Sequence, residues 1–563
     1  MKYALVILFA FLSVNHLFSQ NISDTTLPGN SDTLETVTIR AFEQRRSNGP
    51  VQVLYLRNNE ADRGNKLSLV SGLNTLPGIR MEERSPGSYR INIRGSSLRS
   101  PFGVRNVKVY WNGIPVTDPG GNTYFNQFAL NNFSSMEIVK GPAGSLYGAG
   151  TGGLILMHSL DDWKPGVSAE YMTGSYGLQQ IFGSVQFGSG ENKNLLTFAH
   201  NQSDGYRVQS SVKRDNFSYV SQAQWGNKNL LTASLLYTNL EYQTPGPLTA
   251  AEYAANPAAA RPAAGGLPSA VNAKATIYQK NLLAGLTNHV EINADFSNTT
   301  VLYGSFAQIK NPAIRNYERR QEPHFGGRSF FTFKQDYSSL NWQFIAGGEL
   351  QEGFFNTQVS KNRQGNPDTL QTNDDTRYTT YSVFAQADAE INRSWMINAG
   401  ISVNQTKVSI TRLSSYPVTP IGRTYRNEYA PRISLLKKLS DRLSLIATVS
   451  KGFSPPTIAE LLPSTSAIST NLEAESGINY ELTARSYLLQ RALHIEVTGF
   501  YFKLNNALVQ RKDGSGADYY INAGDTKQKG LEVSADYNKH FSGNAILRSM
   551  QIRGGYTLHD FTY

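Results

Sequence analysis

Ser88-Tyr-Arg-Ile-Asn-Ile-Arg-Gly95, Val107-Lys-Val-Tyr-Trp-Asn-Gly-Ile-Pro-Val-Thr-Asp118 and Met136-Glu-Ile-Val-Lys-Gly-Pro-Ala-Gly-Ser-Leu-Tyr-Gly148 are the three runs that decide the fold. Each is a short alternating strand closed by a glycine-containing turn, and no amphipathic helix of any length separates them. Asn112-Gly113, followed by Pro115, is turn chemistry between two strands. Lys140-Gly-Pro-Ala-Gly144 breaks the chain just after a third.

Outward from these runs, Met1 to Gln20 reads as a secretory signal. Lys2 supplies the positive start, Ala4 to Leu12 the apolar stretch, and Ser19 a small residue for cleavage. The apolar run falls short of the roughly 20 residues a spanning helix needs. The chain has 563 residues, 17% of them charged, and a mean hydropathy of −0.37. Those averages fit a soluble protein. They fit a transmembrane β-barrel equally, because lipid-facing and lumen-facing residues alternate and cancel. The 30 Tyr and 27 Phe suit aromatic girdles at two membrane interfaces. With zero Cys there is no disulfide, thiolate metal site, cysteine nucleophile or lipidated cysteine. The net charge of +10 reads as a solvated surface or as attraction to anionic ligands and outer-leaflet lipid. No basic cluster is dense enough to point to nucleic acid.

Residues 21–33 are rich in Asn, Ser, Asp, Thr, Gly and Pro and read as a flexible lead. Leu34 to Ala41 is a lone β-prone run, either the first strand of the next unit or a strand available to another sheet's edge. Leu67 to Ile79 predicts a short helix stopped at Pro77-Gly78. From Gly166 onward alternation persists: Tyr381, Val383, Ala385, Ala387 and Ala389 oppose Ser382, Gln386, Asp388 and Glu390. Ile478, Tyr480, Leu482 and Ala484 likewise oppose Asn479, Glu481, Thr483 and Arg485. Tight polar turns at 188–193, 226–229, 392–394 and 440–442 alternate with long connections at 240–275, 311–328, 353–377, 411–428 and 453–477. Short turns on one side and long loops on the other are the arrangement of an outer-membrane barrel, with the long loops outside.

The three opening runs, in this order, resemble the plug domain of TonB-dependent outer-membrane receptors. Lys451-Gly-Phe-Ser-Pro-Pro-Thr-Ile-Ala-Glu-Leu461, Asn471-Leu-Glu-Ala-Glu475, Tyr480-Glu-Leu482 and Tyr520-Ile-Asn-Ala-Gly524 with Lys529-Gly-Leu-Glu532 are similar to the family's barrel signature. The resemblance implies a membrane all-β fold: an antiparallel transmembrane β-barrel with an N-terminal α+β plug in its lumen. The expected division is signal 1–20, lead with TonB box 21–46, plug 47–160 and barrel 161–563. The family barrel has 22 strands. The segment after Ser159 has room for about 16 to 18. The family's closing turn is not visible before Tyr563, so the expectation is a C-terminally truncated barrel, with a shorter complete barrel as the alternative.

For function, the resemblance implies import of a scarce chelate by energised remodelling of the plug, with no catalytic residue, metal site or cofactor. Glu35, Thr36, Val37, Thr38, Ile39 and Arg40 would form the box that pairs with TonB as an added strand. Ligand candidates at two expected plug apices are Arg99, Phe102, Arg105, Asn122, Tyr124 and Phe125. The arginines would pair with an anionic chelate and the aromatic rings would stack on it; their bland alternative is plug–barrel packing and ion pairing. Arg94, Glu137 and Lys140 are assigned to plug–barrel contacts, where Lys140 departs from the family's more usual arginine. The first substrate expectation is a ferric siderophore. Cobalamin, or another small nutrient such as a peptide or glycan, is the alternative importer reading, and a passive porin or adhesin the alternative class. Heme is demoted because 453–472 contains no histidine. Partners would be TonB, the chelate and outer-membrane lipid, with a surface lipoprotein left open.

Enzyme signals fail on context. Gly148-Ala-Gly-Thr-Gly-Gly153 matches G-x-G-x-x-G but runs into Leu154-Ile-Leu-Met-His158, a strand, so no helix N-terminus is offered to a phosphate. Asp161-Asp162 reads as a solvated turn.

Overall fold

In the alternating strands the apolar side chains face out and the polar ones face in. Val383 is 65% exposed, whereas its neighbour on the opposite face, Gln386, is 1% exposed. Leu482, Tyr480 and Ile478 are exposed, and Asn479, Thr483 and Arg485 are buried. A soluble sandwich would have it the other way round. Apolar residues stay outside only where the outer solvent is lipid.

The computed structural model describes residues 40–41, 44–45 and 49–562, except 62–65, 67, 86, 97–102, 464–466, 515–517 and 542–546. After the short pair Arg40–Ala41 and Gln44–Arg45, the described residues of the plug form seven strands: β1 (Val53–Arg57), β2 (Ile79–Glu83), β3 (Tyr89–Ile93), β4 (Val107–Trp111), β5 (Ile114–Pro115), β6 (Ser135–Lys140) and β7 (Gly153–His158). Five of them form one sheet in the order β1-β6-β7-β4-β5, while β2 and β3 pair separately. The β4–β7 pair is parallel and the other neighbours are antiparallel. Asn112 and Gly113 take φ of 50° and 83° between β4 and β5, the two positive values a two-residue hairpin turn requires. The glycine-rich run ends in β7, as its strand character dictates.

The helix expected over 67–79 reduces to one turn, Val70–Leu73. A single turn gains too few hydrogen bonds to stand alone, and this one is held by burial of Leu73. The plug core (Ile91, Val109, Trp111, Ile114, Met136, Ile155) is continuous with Val220, Leu236, Leu283 and Val301 of the wall.

The wall is a sheet of 19 strand segments running in meander order from Gly166–Gly174 to Ser549–Thr562. Pro420–Thr424, Glu428–Tyr429 and Arg432–Lys438 all pair along Trp395–Arg412 and act as one interrupted strand. Counting them once leaves about 17 passes, inside the range the remaining length predicted. No helix among the described residues is long and apolar enough to cross a membrane.

Two expected loops are strands. Asn316–Asp336, Leu340–Arg363 and Asn366–Ile391 continue through 316–328 and 353–377, closing on turns of a few residues. The last two run to 24 and 26 residues, against the roughly 9–11 that cross a bilayer. Beyond the lipid the outer face turns polar, the apolar alternation vanishes, and the stretch reads as loop although the ladder hydrogen bonds persist. The connections at 240–275 and 453–477 do hold real loops, the first with a capped helix at Ala250–Ala255 and the second with a turn at Ile458–Leu461.

A Cβ on Gly153 would lie 2.5 Å from the Val139 carbonyl oxygen in the neighbouring strand. Gly153→Val should therefore prevent β6–β7 pairing. The check is limited proteolysis of outer-membrane preparations, where the plug should be digested while the barrel survives.

Candidate functional site

The plug meets the wall through several buried ion pairs in which the plug brings the cation and the wall the glutamate, while the partly buried pair of Glu60 with Arg553, at 3.0 Å, runs the other way. Arg94 sits at a φ of 47° directly after β3. Its Nε and Nη2 donate to the two carboxylate oxygens of Glu532 at 2.9 and 3.0 Å, and its Nη1 lies 2.9 Å from Glu481. Its guanidinium also lies over the Phe500 ring at 4.4 Å. Lys140, the last residue of β6, donates to the same Glu532 and, at 3.2 Å, to the Pro77 carbonyl. Two cations thus face two carboxylates. Gly141, at φ 74°, leaves them room, since a Cβ there would lie 2.9 Å from Asn479 and 3.1 Å from Glu481.

A second anchor forms at Arg105. It binds Glu460 through Nε at 2.8 Å and Nη2 at 3.0 Å, and Glu475 through Nη1 at 2.9 Å. A third centres on Glu349, which accepts from Lys108 and from the Tyr110 hydroxyl, each at 2.8 Å, and from Arg328 of the wall at 3.3 Å. Burial alone would lower the pKa of Arg94 and Arg105, but their paired glutamates more than offset it and raise both. Lys140 comes out lowered: burial comes first, and neighbouring Arg94 adds to it against the pull of Glu532.

Of the sequence candidates, Arg94 and Lys140 share one cluster. Glu137 lies in β6 with His158 Nε2 3.6 Å from its carboxylate. Arg105 faces glutamates where a ligand anion was expected, because its side chain is buried in the interface. Phe125 packs in the plug core against Phe128, with 6.2 Å between ring centroids, and offers no face to a ligand. Tyr124 donates to Glu322 of the wall at 2.7 Å. Asn122 closes the apex turn, its backbone N–H donating to Asp118 Oδ1 at 3.0 Å. Arg99, Phe102 and residues 35–39 of the expected TonB box lie outside the described residues, and Arg40 is described only in its backbone, pairing with Arg45.

The apex at Gly120-Gly121 lies under the long connection that carries Glu460. A Cβ on Gly120 would lie 2.7 Å from Ile458, and one on Gly121 3.2 Å from Thr457. A loop on the long-connection side is thus strapped to the plug by Arg105 and packed on its apex. Beside it is a small cavity of about 70 Å³. On the short-turn side a larger one, about 850 Å³, lies between the plug sheet and the wall. Sequence reading missed Lys108, Tyr110, Arg328, Glu349, Glu460, Glu475, Glu481 and Glu532 as a set. The signal for Glu349, Glu475, Glu481 and Glu532 was faint: glutamates on the polar side of alternating strands.

Comparison with known proteins agrees with this architecture. The family model described as TonB-dependent Receptor Plug Domain matches residues 43–154, and that described as TonB dependent receptor-like, beta-barrel, matches 173–563. A hemin receptor of Yersinia enterocolitica is 24% identical over 550 residues, spanning 90% of this chain and 73% of that protein. The vitamin B12 transporter BtuB of Photobacterium profundum is 28% identical over 167 residues, 29% of this chain but only 26% of that protein. The unliganded ferric citrate transporter FecA shares the fold at a TM-score of 0.73 and 16% identity, with 91% of this chain and 78% of that one covered.

Glu532→Ala would remove the carboxylate that the buried Arg94 and Lys140 share. Orphaning a buried charge costs about 3–5 kcal/mol, so the plug should become protease-accessible at a clearly lower urea concentration than in the parent protein. Asp118 gives a pH dependence. Burial, then the nearby Glu322 carboxylate, push its carboxyl up to about 8 against the Asn122 and Gly120 N–H donors. The docked plug therefore binds a proton that the released one gives up near pH 4. Stability should fall as pH rises from about 4 to 8 and level off above that. Asp118→Asn should flatten the decline, measured as plug protease exposure against pH.

Proposed function

We propose that this chain, which belongs to the TonB-dependent receptors of the bacterial outer membrane, imports an anionic ferric chelate of the siderophore class. The observation that carries the reading is the Arg105 anchor. A guanidinium held by two glutamates, one of them on a loop strapped over the plug apex, suits a ligand whose own anionic groups compete for that arginine. Binding from the long-loop side would then loosen the Glu460 strap and reach the plug directly. Two of the similar proteins are named for iron complexes, hemin and ferric citrate, and these likenesses support iron over cobalamin, whose transporter matches only a short stretch. Hemin is the second reading, favoured by the match over 90% of the chain.

Uptake would be energised through TonB pairing with Glu35 to Arg40 as an added strand. The testing experiment titrates the intrinsic fluorescence of the purified protein with ferric siderophores, ferric citrate, hemin and cobalamin, and measures cellular uptake of whichever binds. Saturable quenching by a ferric chelate below about 1 μM, at least tenfold tighter than by hemin or cobalamin, is expected. A variant lacking Glu35 to Arg40 should bind equally and lose uptake. Unchanged uptake in that variant would make the barrel a passive pore, and preference for hemin or cobalamin would replace the siderophore reading.

A further inference from the structure

The two cavities lie against the same stretch of wall and meet the same ion cluster from opposite sides. Lys108 and Glu349 line the smaller one, together with Pro455 and Thr457 of the long connection. Tyr110, Tyr147, Arg328 and Phe330 line the larger, which reaches the short turns at Asp295 and Asp336. What stands between them is side chain. Glu349 joins Lys108, Tyr110 and Arg328, and Arg328 also donates to the Leu146 carbonyl at 2.7 Å and lies 4.8 Å over the Tyr147 ring. The backbone pairs of β4 are with β5 and β7, inside the plug, and the wall strands that carry Arg328 and Glu349 pair with each other. Opening this partition therefore breaks no sheet.

We propose that the Glu349 cluster is a gate in a lateral passage, through which cargo moves between β4 of the plug and the wall strands Asn316–Asp336 and Leu340–Arg363. This rests on the importer reading above and adds the route. Three features single out this wall. Open space already lies on both sides of the cluster. The larger cavity is walled by charged groups such as Asp161, Glu191, Lys193 and Lys334, so it is wet and not a packing defect. Further round the wall, Val220 and Leu236 interlock with the plug core, so the contact there is apolar. The chemistry also favours one class of cargo. Lys108 and Arg328 share a single carboxylate, so the anionic groups of a chelate can replace Glu349 and keep both cations paired while the partition opens. A neutral or cationic cargo would displace Glu349 without replacing its charge.

The test needs no ligand, which separates it from the substrate question. The purified full chain is placed in planar bilayers in KCl and its ion conductance recorded. The double variant Lys108→Met with Glu349→Gln should show an open probability at least tenfold above the parent. Asn132→Ala, which removes hydrogen bonds from the plug to Thr197, Asn216 and Ser218 on a different wall, should stay at the parent level. The natural chain has no cysteine. Thr332→Cys, in the larger cavity, therefore gives a unique handle, and a charged thiol reagent should block the current when that change is added to the double variant. Glu349→Gln alone, nearly isosteric, should raise conductance in the same direction and guards against misfolding of the double variant. Parent-level conductance in both gate variants, equal conductance in Asn132→Ala, or current that ignores modification at position 332 would each overturn the route.

Discussion

The structure depends on carrying charge into a place where charge is expensive. Arg94, Arg105, Lys108 and Lys140 leave water only because Glu532, Glu481, Glu460, Glu475 and Glu349 meet them inside the barrel. Such pairs add little net stability over well-packed apolar contacts, because desolvation consumes most of the Coulombic gain. What they add is register. A plug turned or shifted by one strand would bury these cations against the wrong side chains. The two-against-two arrangement at Arg94, Lys140, Glu481 and Glu532 fits one seating of β3 and β6 on the wall.

Local features could be read from the sequence where a short stretch dictates them. Asn112-Gly113 requires its turn, Leu154 to His158 reads as a strand, and the 2-residue period from Gly166 onward requires two-faced strands. The inversion of those faces followed from the signal and the plug-like runs, not from periodicity, which is the same for a sandwich. Partners were another matter. Arg94 and Glu532 lie 438 residues apart, and nothing in either neighbourhood names the other. The same gap explains Arg105, whose position near a plug apex suggested an exposed ligand contact. Its fate is set by Glu460 and Glu475, which reach it only when the wall packs around the plug. Phe125 went astray for a simpler reason: an aromatic residue in a glycine-rich apex looks available, but its neighbours Phe128 and Trp111 make a core there.

The long hairpins show a limit of period reading. Between 340 and 391 the ladder runs through lipid and into water, shifting register only around Ser360. Only the outer face changes character. Hydropathy therefore marks where the bilayer ends, not where the strand ends.

An interface of buried ion pairs also decides how a plug can come loose. Removing one partner leaves a charge stranded in low dielectric, so piecemeal loss is opposed at every step. Once water reaches both partners together, each regains its hydration and the penalty for separation drops towards the small value of a solvated pair. An apolar interface behaves differently, since wetting it is itself the cost. The side of the plug that rests on Val220 and Leu236 should therefore resist separation throughout. The side that rests on Glu349, with open polar space on both faces, yields once water or an anion reaches both partners of its ion pairs. A pull on the plug need not empty the barrel, because it acts against two unlike walls and the wettable one gives first.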